Sequence, residues 1–293
     1  MVTDYEPYTF EMVLNDYRMK SEFGIYDHRD PGDYGYNFEE VNFRSLDDLK
    51  LNGWYISAKR PSNQSILFVH GRTSNRLKPM KYLALVDSLG LDTLYNVFIP
   101  DMRNSGKSES SKTYMGYKFA DDIVASLLFL HDNYHQDTAL IYGFSMGAMA
   151  AVNAITRKDL KAIYSHRITV DKVILDSPLA NVKATVRDQA SDMWFGELIF
   201  EKTFDYYSRL IDDFGEDMRL SKLIDPDMPT LILQSMDDQL TKVAFLEEEI
   251  AQLEMPSNTQ VVYFNGPGHV RMFQCENSRS KYLAEVGNFI YQY

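Results

Sequence analysis

The chain reads as an α/β protein, a mostly parallel sheet covered by helices on both faces. Three observations predict this. Short apolar runs alternate with segments of helical period along most of the chain, the pattern of strand–helix–strand units. Runs such as Ile66–Val69 and Thr230–Leu233 lack polar alternation, so they read as strands buried on both faces. Hydrophobic residues at 45% and charged residues at 25% over 293 positions suffice for one large core with an inserted segment.

The elements follow in order. Residues 1–37 form an N-terminal extension rich in tyrosine and acid, in which Phe10, Val13, Leu14 and Tyr17 share one helix face. Asp30-Pro31-Gly32-Asp33 is turn chemistry. Phe38–Phe43 and Leu49–Ser57, separated by Asp47-Asp48, predict an antiparallel hairpin at one edge of the sheet. Ile66–Val69, Asn96–Ile99, Ala139–Tyr142, Val173–Leu175, Thr230–Leu233 and Gln260–Phe264 supply the remaining strands. Helices are expected near Lys78–Leu89, Tyr117–His131, Lys242–Leu253 and Lys281–Tyr291, and from the turn at Ser145 to about Thr156.

One interval breaks the rhythm. Residues 181–225 are more than a single crossover helix needs, and they carry Trp194, Phe195, Phe200, Phe204 and Phe214. They read as an inserted helical cap between two halves of the core, 38–180 and 226–293, over the carboxyl ends of the strands where open α/β sheets bind ligands.

Composition narrows the partners. A net charge of −12, without a clustered Lys/Arg surface, argues against nucleic acid. No run is long and apolar enough for a membrane span, so stable membrane insertion is not expected. Cys275 is the only cysteine and the first residues carry no basic or apolar leader, which predicts a cytoplasmic protein. His131 and His135 nearly match the H-E-x-x-H zinc pattern, but aspartate stands at the glutamate position and no third ligand is evident. Neither a metal nor a cofactor is expected.

The chemistry centres on Gly143-Phe144-Ser145-Met146-Gly147, between an apolar run and a helix-prone one. G-x-S-x-G arises by chance in about one chain in ten of this length, so context must decide. Here the context is a strand-to-helix turn, where glycines two before and two after the serine let strand and helix approach closely. A serine hydroxyl needs a base, an orienting carboxylate and oxyanion donors. Of six histidines, His269 lies in a loop directly after the last predicted strand, level with Ser145. Asp238, just beyond the strand Thr230–Leu233, is the expected acid; Asp237 beside it and Asp176 after Val173–Leu175 are alternatives. The backbone N–H groups of Met146 and Arg72 are the expected oxyanion donors, with His70 beneath their loop and Asp101 and Arg103 bracing loops behind it.

With Ser145, Asp238 and His269 in that order, the chain resembles the α/β-hydrolase superfamily over roughly residues 38–293. His70-Gly71, Asp101–Ser108, Gly143–Gly147, the acid loop and Gly266–His269 carry the resemblance. It is similar to bacterial serine hydrolases of the serine aminopeptidase and cell-surface hydrolase group, whose second motif commonly reads Asp-x-Arg-Gly-x-Gly-x-Ser. Here Asn104 replaces the first glycine, a residue that tolerates left-handed backbone.

The resemblance implies an α/β-hydrolase fold and an acyl hydrolase acting on carboxylic esters of small molecules. Peptidase, amidase or acyltransferase activity would use the same residues, and a non-catalytic receptor could share the fold. Trp194 and Phe195 are the expected substrate contacts, under a cap that favours uncharged, moderately apolar acyl groups.

Overall fold

The computed structural model describes residues 5–191, 200, 204, 218–253 and 258–293. Eight strands form one sheet: β1 (Glu39–Arg44), β2 (Lys50–Ile56), β3 (Gln64–Val69), β4 (Asn96–Asp101), β5 (Thr138–Phe144), β6 (Thr169–Asp176), β7 (Thr230–Ser235) and β8 (Thr259–Phe264). Their spatial order is β1-β2-β4-β3-β5-β6-β7-β8. β2 runs antiparallel to both neighbours, and every other pairing from β4 to β8 is parallel. The predicted hairpin is therefore the β1–β2 edge. Its turn places Asp48 at φ 68°.

The apolar strands are buried as their patterns require. Leu67, Phe68 and Val69 of β3 and Leu231, Ile232 and Leu233 of β7 have no exposure. Alternate residues feed two cores, one on each face. One face holds Leu67, Val69 and Ile141 under Ile123 and Leu127; the other holds Phe68, Leu140 and Leu233 under Val86 and Phe289. Ile123 and Leu127 come from the helix Phe119–Tyr134, and Phe289 from Glu276–Gln292.

Several expectations are corrected. The N-terminal helix is two short ones, α1 (Phe10–Asn15) and α2 (Tyr17–Phe23). Asp16 breaks them apart: its carboxylate accepts from Arg18 N at 2.7 Å and starts the second helix as its cap. Tyr17 consequently points to solvent at 78% exposure, while Val13, Phe23 and Ile25 carry the packing against the body. The helix predicted near Lys78–Leu89 divides into α3 (Leu77–Met80) and α4 (Leu83–Ser88). Between them the bonds tighten to three-residue turns, Tyr82 N to Pro79 O and Ala84 N to Lys81 O. A helix at Lys158–Tyr164 was not anticipated, and β6 is longer than its apolar segment because Asp171 and Lys172 interrupt the hydrophobic run.

The 181–225 interval begins with the helix Val182–Ser191. Its two ends meet: Asn181 pairs with Arg219, Val182 N donates to Met218 O, and Leu220 N donates to Ala180 O. The segment is an excursion pinned at its base beside the end of β6. Phe200 and Phe204 are buried against the body, their rings 5.2 Å apart. Trp194 and Phe195 lie outside the described residues.

Candidate active site

Ser145, Asp238 and His269 stand at the carboxyl ends of β5, β7 and β8, and the His70-Gly71-Arg72 loop follows β3. Because β3 and β5 are neighbours, that loop lies against the serine. A Cβ on Gly71 would come within 3.0 Å of the Ser145 Cβ.

The serine turn is strained and enforced. Ser145 sits at φ 55°, ψ −119° between the end of β5 and the helix Met146–Thr156. Few side chains accept that backbone, and it persists only where surroundings over-determine it. Here the surroundings are close. A Cβ on Gly143 would meet the Ala148 backbone at 2.6 Å, and one on Gly147 would meet the carbonyls of His70 and Val69 at 2.4 and 2.5 Å. Ser145 N donates to Asp176 O at 2.9 Å, which ties the turn to the end of β6. Met146 opens the helix, so its N–H has no intrahelical acceptor and is available beside the serine.

Of the three carboxylates weighed from sequence, Asp238 is the one that contacts His269, with Oδ2 at 2.7 Å from Nδ1. Its other bonds are equally directed. Oδ1 accepts from the N–H groups of Leu240 and Thr241 at 2.8 and 2.9 Å, and Oδ2 from the Thr241 hydroxyl at 2.8 Å. Burial opposes ionisation of this carboxyl, but the bonds from His269 and Thr241 outweigh it and hold it below the usual carboxylate range. Asp237 instead accepts from Gly266 N at 2.6 Å, pinning the start of the histidine loop.

Asp176 is buried elsewhere. It accepts from Tyr82, Tyr282 and Ser177 at 3.0, 2.6 and 2.9 Å, and Tyr142 joins the cluster through a short contact with Tyr282. Burial pushes its carboxyl up. The Ser177 hydroxyl also accepts from Val270 N at 3.2 Å, so this cluster supports the histidine loop from below. Val270 needs that support, because a β-branched residue at φ 52° is disfavoured.

His70 is buried beneath the Gly71-Arg72 loop. Its Nδ1 donates to Gly71 O at 2.8 Å and its Nε2 accepts from Met102 N at 3.0 Å, which defines the tautomer. Burial lowers its pKa to about 4, so the ring is neutral. Asp101 braces the next loop by accepting from Arg76 N and Lys107 N at 2.8 and 2.9 Å. Arg103 forms a buried pair with Asp122 at 2.7 Å and reaches Asp47 at 2.8 Å. Asn104 adopts φ 59°, the left-handed backbone that its place in the motif calls for. At the far end of the sheet, His135 leaves its helix at φ 54°, which parts it from the helical geometry of the zinc pattern.

Ser145, Met146, Arg72 and His269 all line one cavity of about 180 Å³. Met115, Leu179 and Leu240 supply apolar wall, and Thr185 and Gln189 come from the first helix of the excursion. Glu22 and Lys78 also line it. Neither was visible in the sequence, since no periodicity or motif relates α2 and α3 to the serine.

The sequence profile of the alpha/beta hydrolase fold family matches residues 64–214, just over half of the chain. The chain belongs to that family. Among solved structures, the chain is similar to the Pyrococcus furiosus esterase Pf2001, with a TM-score of 0.67 and 23% identity, over 90% of this chain and 96% of the esterase. XC6422 of Xanthomonas campestris, a serine hydrolase without a lid, superposes with a TM-score of 0.58 and 13% identity, over 87% of this chain and 94% of its own. At these identities the likeness is one of fold. The Bacillus subtilis protein YqkD is 36% identical over 104 residues, 35% of this chain and 32% of YqkD. Escherichia coli YfhR is 27% identical over 155 residues, 52% and 50% of the two chains. The matches thus span from a third to half the length of these curated relatives. No helix among the described residues is long and apolar enough to cross a membrane.

Proposed function

We propose that this hydrolase cleaves carboxylic esters of small molecules through Ser145, His269 and Asp238. The reading rests on one observation above the others: the 2.7 Å His269–Asp238 bond borders the cavity that also holds Ser145 on its strained turn. The esterase Pf2001, similar in fold, is the reason esters are proposed ahead of amides, which the same residues could also cleave.

In this mechanism His269 Nε2 takes the hydroxyl proton as Ser145 Oγ attacks the ester carbonyl. The N–H groups of Met146 and Arg72 receive the developing oxyanion. The tetrahedral intermediate collapses, the C–O bond to the alcohol breaks, and His269 returns its proton to that alcohol. Water then attacks the acyl-enzyme carbonyl, giving a proton to His269; as the bond from that carbon to Ser145 Oγ breaks, His269 returns the proton to Oγ and the free acid leaves. Asp238 keeps the imidazole proton on Nδ1, leaving Nε2 free to act as base. The excursion after β6 is the proposed cap, with Trp194 and Phe195 as proposed contacts to the acyl group. Placement in the serine aminopeptidase and cell-surface hydrolase group, and in the cytoplasm, is proposed on sequence pattern alone.

Fluorophosphonate labelling followed by p-nitrophenyl esters from acetate to decanoate tests the reading. Each added methylene is worth up to about 0.8 kcal/mol of transfer free energy, so kcat/KM should climb several-fold per carbon until the pocket is full. Faster cleavage of aminoacyl amides than of any ester would replace esterase by peptidase.

A further inference from the structure

The wall of the cavity that faces the N-terminal extension is cationic in a protein of net charge −12. Lys78 and Arg72 line it directly. Lys81 is buried one turn beyond Lys78, and Arg271 lies two residues after His269. Among the described residues, Lys81 is one of four buried cationic side chains. The other three face carboxylates: Arg76 at 3.5 Å from Asp101 and Glu40, Arg103 at 2.7 Å from Asp122, and Lys172 at 3.2 Å from Asp171. Lys81 has only neutral acceptors, Gln274 Oε1 at 2.8 Å and Val270 O at 3.3 Å. Lys78 and Arg72 are held over aromatic faces of the extension. Lys78 Nζ is 5.5 Å from the Phe23 ring centre, and the Arg72 guanidinium carbon 5.0 Å from that of Tyr5. Neither forms an ion pair with a described residue.

We propose that this wall recognises an anionic group on the substrate, with Lys78 as its principal contact and Arg72 beside it. The inference rests on the ester-hydrolase reading and names the substrate class: esters of which one half, acyl or alcohol, carries a negative charge, the apolar half lying against Met115, Leu179 and Leu240. Lys78 and Arg72 outnumber Glu22, the one carboxylate among the lining residues, and an anion entering the cavity would offset that excess. Burial depresses the Lys78 ammonium most; among the charges around it Glu22, exposed at the rim, acts most strongly and raises it, while Arg271 depresses it. The buried Asp176 acts in the same sense as Glu22. Glu22 makes no ion pair with Lys78, and with Lys78 and Arg72 both lining the cavity the two cations outnumber that one carboxylate. Charge-assisted bonds to a half-buried ammonium are strong enough to set specificity.

The test uses two matched pairs of esters. Mono-4-nitrophenyl glutarate against 4-nitrophenyl valerate places the charge on the acyl half. 4-Carboxyphenyl butyrate against 4-carbamoylphenyl butyrate places it on the alcohol half. The wild-type enzyme should prefer the anionic member of at least one pair by about tenfold in kcat/KM, mainly through KM. Lys78→Gln should abolish that ratio and Lys78→Arg should largely restore it. In the wild type, raising NaCl from about 0.05 to about 0.5 M should reduce the ratio, a readout that needs no variant. Preference for the neutral ester in both pairs, or a ratio untouched by Lys78→Gln and by salt, overturns the inference. Absence of all ester cleavage, with Ser145 unlabelled by phosphonate, would overturn the parent reading instead.

Discussion

Replacing Asp238 by asparagine changes one atom and should abolish most of the turnover. Four donors converge on this carboxylate. Two are the backbone N–H groups of Leu240 and Thr241, both on Oδ1; the others are the Thr241 hydroxyl and His269 Nδ1, both on Oδ2. An asparagine offers one oxygen and one NH2. Turning the NH2 toward the backbone pair would leave two N–H groups unsatisfied, at about 1–3 kcal/mol each. Turning it toward Oδ2 is cheaper. The Thr241 hydroxyl can rotate toward Ser177 O, 3.4 Å away, and the imidazole can change tautomer. The amide therefore faces His269, Nδ1 becomes an acceptor, and the ring proton moves to Nε2. The base is then blocked at the atom that must receive the serine proton. The same substitution in a Ser-His-Asp protease costs about 10⁴ in kcat, equivalent to roughly 5 kcal/mol of barrier. Turnover of a p-nitrophenyl ester by Asp238→Asn should fall by that order, with little change in melting temperature. Asp237→Asn, which touches only the Gly266 amide, should lose less than about tenfold. A folded Asp238→Asn enzyme within about tenfold of wild type would refute the assignment of the acid and the tautomer argument together.

Other outcomes follow from neighbouring geometry. Intact-mass spectrometry after fluorophosphonate treatment should show a single adduct, absent from Ser145→Ala; an adduct that survives would place the nucleophile elsewhere. Gly147→Ala should lose about 3 kcal/mol or more, because the new Cβ meets two backbone carbonyls that cannot step aside, and an unchanged melting temperature would contradict that crowding. His70 is held neutral with a pKa of about 4, below the ordinary value of 6.5 that its unfolded form would have. The unfolded chain therefore binds this proton first as pH falls, so His70 costs stability between about pH 6.5 and 4, reaching roughly 3 kcal/mol. Urea denaturation at neutral and acid pH should show that loss in the wild type and a smaller one in His70→Gln; equal losses would mean that the ring is not buried neutral.

Local chemistry and hydrophobic periodicity are written into the chain, and they account for what was legible. The serine turn, the strand runs, Asn104 in left-handed backbone and the histidine loop after β8 each depend on neighbours a few residues away. The separation of α1 from α2 at Asp16 is also local, but the helical period that runs through it masks the aspartate cap. Choosing among Asp176, Asp237 and Asp238 was different. All three sit near the ends of adjacent strands, and what separates them is where each carboxylate finds donors. Three hydroxyls, two of them from tyrosines far away in sequence, hold Asp176; the Gly266 amide holds Asp237; and Asp238 alone of the three reaches the imidazole.

The cavity wall is the extreme case. Glu22 and Lys78 come from segments that carry no catalytic motif, and folding brings them beside Ser145 because the N-terminal extension docks through Val13, Phe23 and Ile25. Sequence by itself determined the sheet, the turn and the order of the reactive residues, since those follow from short-range sterics and periodic burial. Only the tertiary structure decided which carboxylate meets the histidine and which charges line the cavity, because both depend on distances between residues that the chain holds far apart.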